Sequence, residues 1–385
     1  MRYLVILLVL TAGLSAQVLD EKIQTEFEDL MALMRAPEGG KPLDEEAAQA
    51  RAQKFRDRLT RFISKWDEFK TEISLGRLHL GKALALAGRP QEAVGHFKFF
   101  VQQHPTSEDV EEATISLGTA YLDSGSLNDA GVVLSRFLRE RPKSERRVVV
   151  QYYLGLTRWK QGVMGEALTR LDAVIASGAE LPVVADAQIK VIEILRDAGR
   201  VSEAKQRLAK LLEKHAEERY LKSLEEQLAW IGKTAPELVS MDHWLKGAAK
   251  TVGGAAGSVI VINFFADRYE SCQAELEALA KLSVGLDGQK VMFLGLTKYY
   301  RPLDKVPAAK QNENLLAFLN RHGVPFTVGV AKDFKNFRNY GVRGIPHTVV
   351  VGKDGSIVHV KTGGSRKNRP AIRALEAAIK RALEG

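Results

Sequence analysis

The stretch Ser258-Val259-Ile260-Val261-Ile262-Asn263-Phe264-Phe265-Ala266-Asp267-Arg268-Tyr269-Glu270-Ser271-Cys272 decides how this chain is read. Ser258–Phe265 is mostly apolar and rich in β-branched side chains, the composition of a strand buried on both faces. A polar loop follows, and Gln273–Leu282 then carries a helical pattern. The order is strand, short loop, and a thiol at a helix start. A helix N-terminus bears partial positive charge, which favours a thiolate, whereas apolar burial opposes it. Cys272 is the single cysteine of 385 residues, so no disulfide can form within the chain. The thiol is either an inert packing side chain or reacts with something outside the chain.

Downstream of residue 257 the alternation continues. Strands are expected at Ser258–Phe265, Val291–Leu296, Phe326–Val330, Thr348–Val351 and Ile357–Lys361. Helices are expected at Gln273–Leu282, Gln311–His322 and Pro370–Leu383, with a short turn near Asp333–Asn339. The run Val351-Gly352-Lys353-Asp354-Gly355-Ser356 reads as a hairpin turn, which makes the last two strands antiparallel. A mixed sheet covered by helices on both faces follows from this order.

Upstream, the chain repeats itself. Gly88, Gly125, Gly162 and Gly199 are spaced by 37 residues, as are Ala93, Ala130, Ala167 and Ala204. The same offset links Leu80, Leu117, Leu154 and Val191, and also Phe97, Leu134, Leu171 and Leu208. Gly81, Gly118 and Gly155 follow it, and Ile192 breaks the series. Pro105 and Pro142 close the first two units. A small residue in the first helix permits close packing, a glycine turns the chain between helices, and proline cannot continue the second helix. Such units bury one another's apolar faces in a solenoid. These positions resemble the tetratricopeptide (TPR) repeat over about residues 74–215. The family repeat is about 34 residues long, so each unit here has a longer helix or turn. The resemblance implies a groove lined by the first helices, here Leu75, Leu78, Leu122, Tyr152, Leu156 and Trp159, which either suits an extended segment or helix or is already covered by the N-terminal helices or the second domain.

The N-terminus has the anatomy of a secretory signal peptide: a charge at Arg2, an apolar run from Leu4 to Leu10, and Ala16 as the cleavage residue. The run is shorter than the roughly 20 residues a spanning helix needs, so export to a bacterial periplasm is expected, with no stable membrane span after cleavage. No cysteine stands near the cleavage site, and a lipoprotein is not expected. Val18–Thr71 is helical in pattern with a break at Pro37–Pro42. The expected domains are 1–16 signal peptide, 17–73 helical cap, 74–230 TPR-like repeats and 232–385 mixed domain.

The formal net charge is +9. Residues 1–234 balance 34 basic against 34 acidic side chains, and residues 235–385 hold 22 against 13, so the second region carries the whole excess. The basic residues are scattered apart from Arg366, Lys367 and Arg369. No nucleic-acid reader motif accompanies them; a solvated basic face is the first expectation, and weak attraction to anionic envelope surfaces or acidic partners the alternative. The histidines form no metal-ligand spacing, no phosphate loop is present, and neither metal nor cofactor is expected.

Three motifs in order make residues 232–385 similar to a thioredoxin-fold domain of the TlpA type, related to peroxiredoxins. Gly232-Lys233-Thr234-Ala235-Pro236 resembles the opening motif, and Asn263–Cys272 occupies the active-site strand and loop. Tyr340-Gly341-Val342-Arg343-Gly344-Ile345-Pro346 matches the segment carrying the cis-proline. The resemblance implies a cis Ile345–Pro346 bond beside the active-site loop, with backbone free to pair with an extended partner. The family loop reads Trp-x-x-Trp-Cys-Pro-Pro-Cys; here Tyr269 stands at the first cysteine and Cys272 at the second. Exchange attacks with the first sulfur and releases with the second, so that cycle cannot run. In the peroxiredoxin pattern Pro-x-x-x-Thr-x-x-Cys, Phe265 and Tyr269 replace the proline and threonine. The family's second cysteine is the shielded one, which implies a buried Cys272, and strand alternation points His347 away from it.

The chain therefore reads as multidomain, an all-α TPR solenoid followed by an α/β thioredoxin fold. The leading expectation is an exported protein- or peptide-binding module with a degenerate redox site, binding through the TPR groove and through Arg268, Tyr269, Glu270, Ile345 and Pro346. The enzyme alternative is a single-cysteine thiol oxidoreductase or peroxidase with Cys272 as its catalytic nucleophile.

Overall fold

The computed structural model describes residues 2–35, 44–363 and 369–385, with side chains described from Ala16 onward and, in the last helix, from Pro370. The signal-peptide side chains before Ala16, the break at Pro37–Pro42, and the side chains of Arg366, Lys367 and Arg369 lie outside the described residues. The chain divides into two compact units, Met1–Gln161 and Gly162–Gly385.

The first unit holds α1 (Arg2–Ala32), α2 (Glu45–Glu68), α3 (Arg77–Leu86), α4 (Pro90–Gln103), α5 (Val110–Ser124), α6 (Leu127–Glu140) and α7 (Arg147–Gln161). From α3 onward each helix packs on the next. The 37-residue offset has a direct steric meaning here. A Cβ at Gly81 would stand 2.8 Å from Phe97 Cε1, and one at Gly118 would stand 2.5 Å from Leu134 Cδ2. In each unit a bare backbone in the first helix makes room for the large side chain of the second. Gly88 and Gly125 end the first helices with φ of 72° and 85°, a left-handed conformation that glycine adopts without steric cost. Ala93 and Ala130 are fully buried. The helices α1 and α2 add Ile23, Leu30, Phe62 and Trp66 to the same core as Leu78, Phe97 and Phe100. Asp20 of α1 accepts hydrogen bonds from the Ser74, Leu75 and Gly76 amides at 2.9, 3.0 and 2.7 Å, at the start of α3. Those amides have no intrahelical acceptor, and Asp20 supplies one.

The second unit begins with four helices, α8 (Met164–Ala176), α9 (Pro182–Asp197), α10 (Val201–Leu212) and α11 (Arg219–Trp230). Then follow β1 (Met241–Lys246), β2 (Val259–Phe264), α12 (Glu270–Gly285), β3 (Val291–Lys298), α13 (Ala308–Arg321), β4 (Thr327–Ala331), α14 (Lys335–Asn339), β5 (His347–Val351), β6 (Ile357–Thr362) and α15 (Arg369–Glu384). The six strands form one mixed sheet in the order β1-β4-β3-β2-β5-β6. Strands β2, β3 and β4 are parallel neighbours, while β5 pairs antiparallel with β2 and with β6. Each strand expected from the sequence is present with ends shifted by a residue or so, and the expected turn near Asp333 contains the short helix α14.

Strand β1 was not expected. It pairs antiparallel with β4 and breaks register twice, between Met241 and His243 and between Trp244 and Lys246. Those irregularities erase the alternation by which a strand is recognised. Its partner shows the fit, since a Cβ at Gly329 would lie 2.5 Å from Met241 Cε.

Alternation along β2 sorts side chains between two cores. Val259 and Val261 join Cys272, Leu276, Leu319, Leu375 and Ile379 on the face covered by α12, α13 and α15. Ile260, Ile262 and Phe264 join Phe337, Tyr340, Val349 and Val351 on the other face. Among the described residues, no helix is long and apolar enough to cross a membrane.

Candidate functional site

Strand β2 ends at Phe264, and the next two residues, Phe265 and Ala266, remain fully buried. The chain then surfaces, with Asp267 half-buried and Arg268, Tyr269 and Glu270 exposed. Tyr269 caps α12 with an extended backbone, and its carbonyl accepts from the Cys272 amide at 3.0 Å. Three residues thus carry the chain from surface to interior: Tyr269 is 42% exposed and Cys272 is 0% exposed.

The Cys272 environment disfavours the thiolate. Burial pushes its pKa up, against the opposing pull of hydrogen bonds with the Ala266 backbone and the Ser271 side chain. The nearby Glu275 and Asp267 charges add to the upward shift. Nucleophilic attack needs a thiolate that can reach its target, and burial works against both at Cys272.

Beneath it lies a buried polar chain. Glu275, one helical turn on, is 0% exposed and accepts from Lys361 Nζ at 2.7 Å and from Thr348 Oγ1 at 2.9 Å. Asn263 Nδ2 in turn donates to Thr348 Oγ1 at 3.0 Å. The pair links α12 to β6, and its members are 86 residues apart, beyond the reach of any spacing rule. Sequence reasoning missed both.

His347 sits on the opposite face. It opposes Phe264 in the β2–β5 register, with ring centroids 6.1 Å apart, and its Nδ1 lies 2.9 Å from Thr362 Oγ1. Burial, aided by the Lys361 charge, lowers its pKa to about 4. It stays neutral at pH 7 and faces away from Cys272, as the strand alternation implied.

The Ile345–Pro346 bond is cis. Register places Pro346 next to Phe265, at the mouth of the loop, since the last paired residues are Phe264 and His347. Ile345 is half-buried and Pro346 is buried. On the β6 side, the Pro346 carbonyl accepts from the Gly363 amide at 2.8 Å. The segment leading to it is fixed from behind by Trp230. A Cβ at Gly341, whose φ is 65°, would fall 2.1 Å from Trp230 Nε1.

The groove residues divide. Leu75 is exposed and Leu156 and Trp159 are half-buried, but Leu78, Leu122 and Tyr152 are buried. Leu78 belongs to the core shared by α1 to α4, and Tyr152 packs edge-on against Tyr153 at 5.3 Å. The apolar strip read from the first helices is in half its members an interior strip. Helical periodicity marks a face as apolar without saying whether another helix covers it.

Comparison with known proteins divides the chain near residues 231–244, where the helices give way to the sheet, rather than after Gln161. Residues 231–379 match the family described as redoxin, and residues 82–244 match the family described as YfiO, outer membrane lipoprotein. The thiol-disulfide oxidoreductase ResA of Bacillus thuringiensis is 27% identical over 139 residues, covering 36% of this chain and 73% of that protein. ResA of Halalkalibacterium halodurans is 26% identical over 137 residues, covering 36% and 71%. Among solved structures, a thiol-disulfide isomerase from Corynebacterium glutamicum aligns over 39% of this chain and 97% of its own, with 20% identity and a TM-score of 0.33. This chain joins a helical, TPR- and YfiO-like N-terminal region to a C-terminal redoxin-type, thioredoxin-like domain with one cysteine and no Cys-x-x-Cys pair.

Proposed function

We propose that the protein is an exported protein- or peptide-binding module whose thioredoxin-like domain no longer runs thiol–disulfide exchange. One observation carries the reading: the position of the attacking sulfur holds an exposed tyrosine, Tyr269, and the remaining thiol is 0% exposed. Exchange needs an accessible thiolate and a second sulfur to resolve the mixed disulfide. Tyr269 provides no sulfur, and burial pushes the Cys272 thiol up, away from the thiolate. The loop around Tyr269 and the neighbouring Ile345–Pro346 segment remain as a contact surface, and the helical region offers a second. Export is supported by the leader-like sequence from Met1 to Ala16.

Thiol labelling tests this. In native protein at pH 7 to 8, Cys272 is expected to react at least about 100-fold more slowly than in denaturant, with no reduction of insulin disulfides and no peroxide turnover. Fast native labelling, with peroxide turnover abolished by Cys272→Ser, overturns the reading in favour of a single-cysteine oxidoreductase.

A further inference from the structure

The carboxyl ends of the three parallel strands each release an aromatic side chain on the same edge of the sheet. Tyr269 follows β2, Tyr300 follows β3, and Phe334 follows β4. Two cations sit between them. The Arg268 guanidinium lies 5.0 Å from the Tyr269 ring and 5.2 Å from the Tyr300 ring. The Lys298 ammonium lies 5.3 Å from the Tyr300 ring and 4.1 Å from the Phe334 ring. The result is a ladder, Tyr269–Arg268–Tyr300–Lys298–Phe334, running across the edge at which open α/β sheets bind their ligands.

We propose that this ladder docks an acidic segment of a protein partner, with carboxylates seated on Arg268 and Lys298 and apolar side chains on the exposed rings. The proposal rests on the peptide-binding reading above and specifies its partner. Three observations carry it. Among the described residues no carboxylate lies within ion-pair distance of Arg268 or Lys298, so both cations keep their charge available. Tyr269 and Phe334 are 42% and 46% exposed, a large apolar surface for a polar loop edge. The ladder is also held in place before any partner arrives. Tyr300 OH donates to the Phe265 carbonyl at 3.4 Å, and Gln311 Nε2 donates to the Arg301 and Val306 carbonyls at 3.0 and 2.8 Å. Phe334 packs edge-on against Phe337 at 5.6 Å. Pre-ordered side chains lose little freedom on binding.

The adjoining cleft, between Asp267 and Leu315, has a volume of about 30 Å³. That is far below the roughly 300 Å³ of a small-molecule pocket, so the surface suits a chain laid across it rather than an enclosed small ligand. The basic excess of the domain has the sign such a partner requires. Asp267 and Glu270 flank the ladder on the β2 side and Asp333 on the β4 side.

The test uses the full chain and fluorescein-labelled decapeptides alternating Glu with Phe, Gln with Phe, and Lys with Phe, read by anisotropy. The Glu peptide is expected to bind at least tenfold more tightly than the Gln peptide, and to weaken severalfold between 50 and 300 mM salt. Arg268→Gln with Lys298→Gln is expected to abolish the preference, and Arg268→Glu with Lys298→Glu to transfer it to the Lys peptide. Equal binding of Glu and Gln peptides, unaffected by these variants, overturns the ladder while the peptide-binding reading stands. Binding of phosphatidylglycerol vesicles without the Glu peptide overturns it in favour of a lipid surface. Binding of no peptide overturns both, whatever the labelling of Cys272 shows.

Discussion

Tyr269 and Cys272 are separated by one turn of chain and belong to opposite environments. Below the turn, Cys272 covers a closed polar chain in which Glu275, Lys361, Thr348 and Asn263 are buried and hydrogen-bonded to one another. Above it, Arg268, Tyr269, Lys298, Tyr300 and Phe334 reach the surface, with the two cations set against the rings. The interior is spent on stability and on holding the loop, and the surface is free to recognise something. A thiol needs both sides at once to react, and this chain has put its only thiol on the inner side.

Substitutions can break or sharpen that division. The largest effect is expected for Glu275→Ala, which leaves the Lys361 ammonium, 6% exposed, with the Gly363 carbonyl but without its counter-charge. Removing one partner of a buried pair costs about 3–5 kcal/mol, measurable by urea denaturation. A loss below 1 kcal/mol would mean the interior is wetter than its burial indicates.

Acid is the second probe. The folded pKa of His347 is about 4, against about 6.5 in an unfolded chain, so it is neutral when buried. Between those values the unfolded state binds more protons, and stability is therefore complete above pH 6.5 and falls as pH drops toward 4. At pH 5 the loss from His347 alone is about 2 kcal/mol. His347→Gln is expected to flatten the slope of stability against pH in that window; an unchanged slope places the acid sensitivity elsewhere. His96, in the other unit, is lowered to about 4 chiefly by burial and adds a slope of the same sign.

The smallest effect belongs to the surface. Tyr269→Ala is expected to change stability by no more than about 0.5 kcal/mol, as exposed substitutions do, while weakening the Glu peptide severalfold. A loss of stability approaching that of Glu275→Ala would erase the distinction between the two sides.

Much of the fold was legible because its determinants are local or periodic. The pairing of Gly81 with Phe97 recurs as Gly118 with Leu134, and a repeat of that kind announces itself. The strands β2 to β6 carry enough β-branched sequence to stand out, and the position of Tyr269 is visible wherever the loop is aligned. What escaped is assembled from distant residues. Glu275 and Lys361 meet only through the sheet order, and the ladder joins positions 268, 298 and 334, one from each of three strand ends. Strand β1 was lost to its register breaks. Leu78, Leu122 and Tyr152 were misplaced because an apolar stripe looks the same whether it is open or covered.

The bare backbone of Gly341 against the Trp230 ring has an optical consequence. Indole emission follows the polarity around the ring, and this ring rests on the segment that delivers Pro346 to the loop. A displacement of that segment admits water to Trp230 and shifts its emission to the red. Trp66, Trp159 and Trp244 emit as well, so the signal of Trp230 is the part removed by Trp230→Phe. The chain therefore carries its own fluorescent gauge of the site, readable without a label.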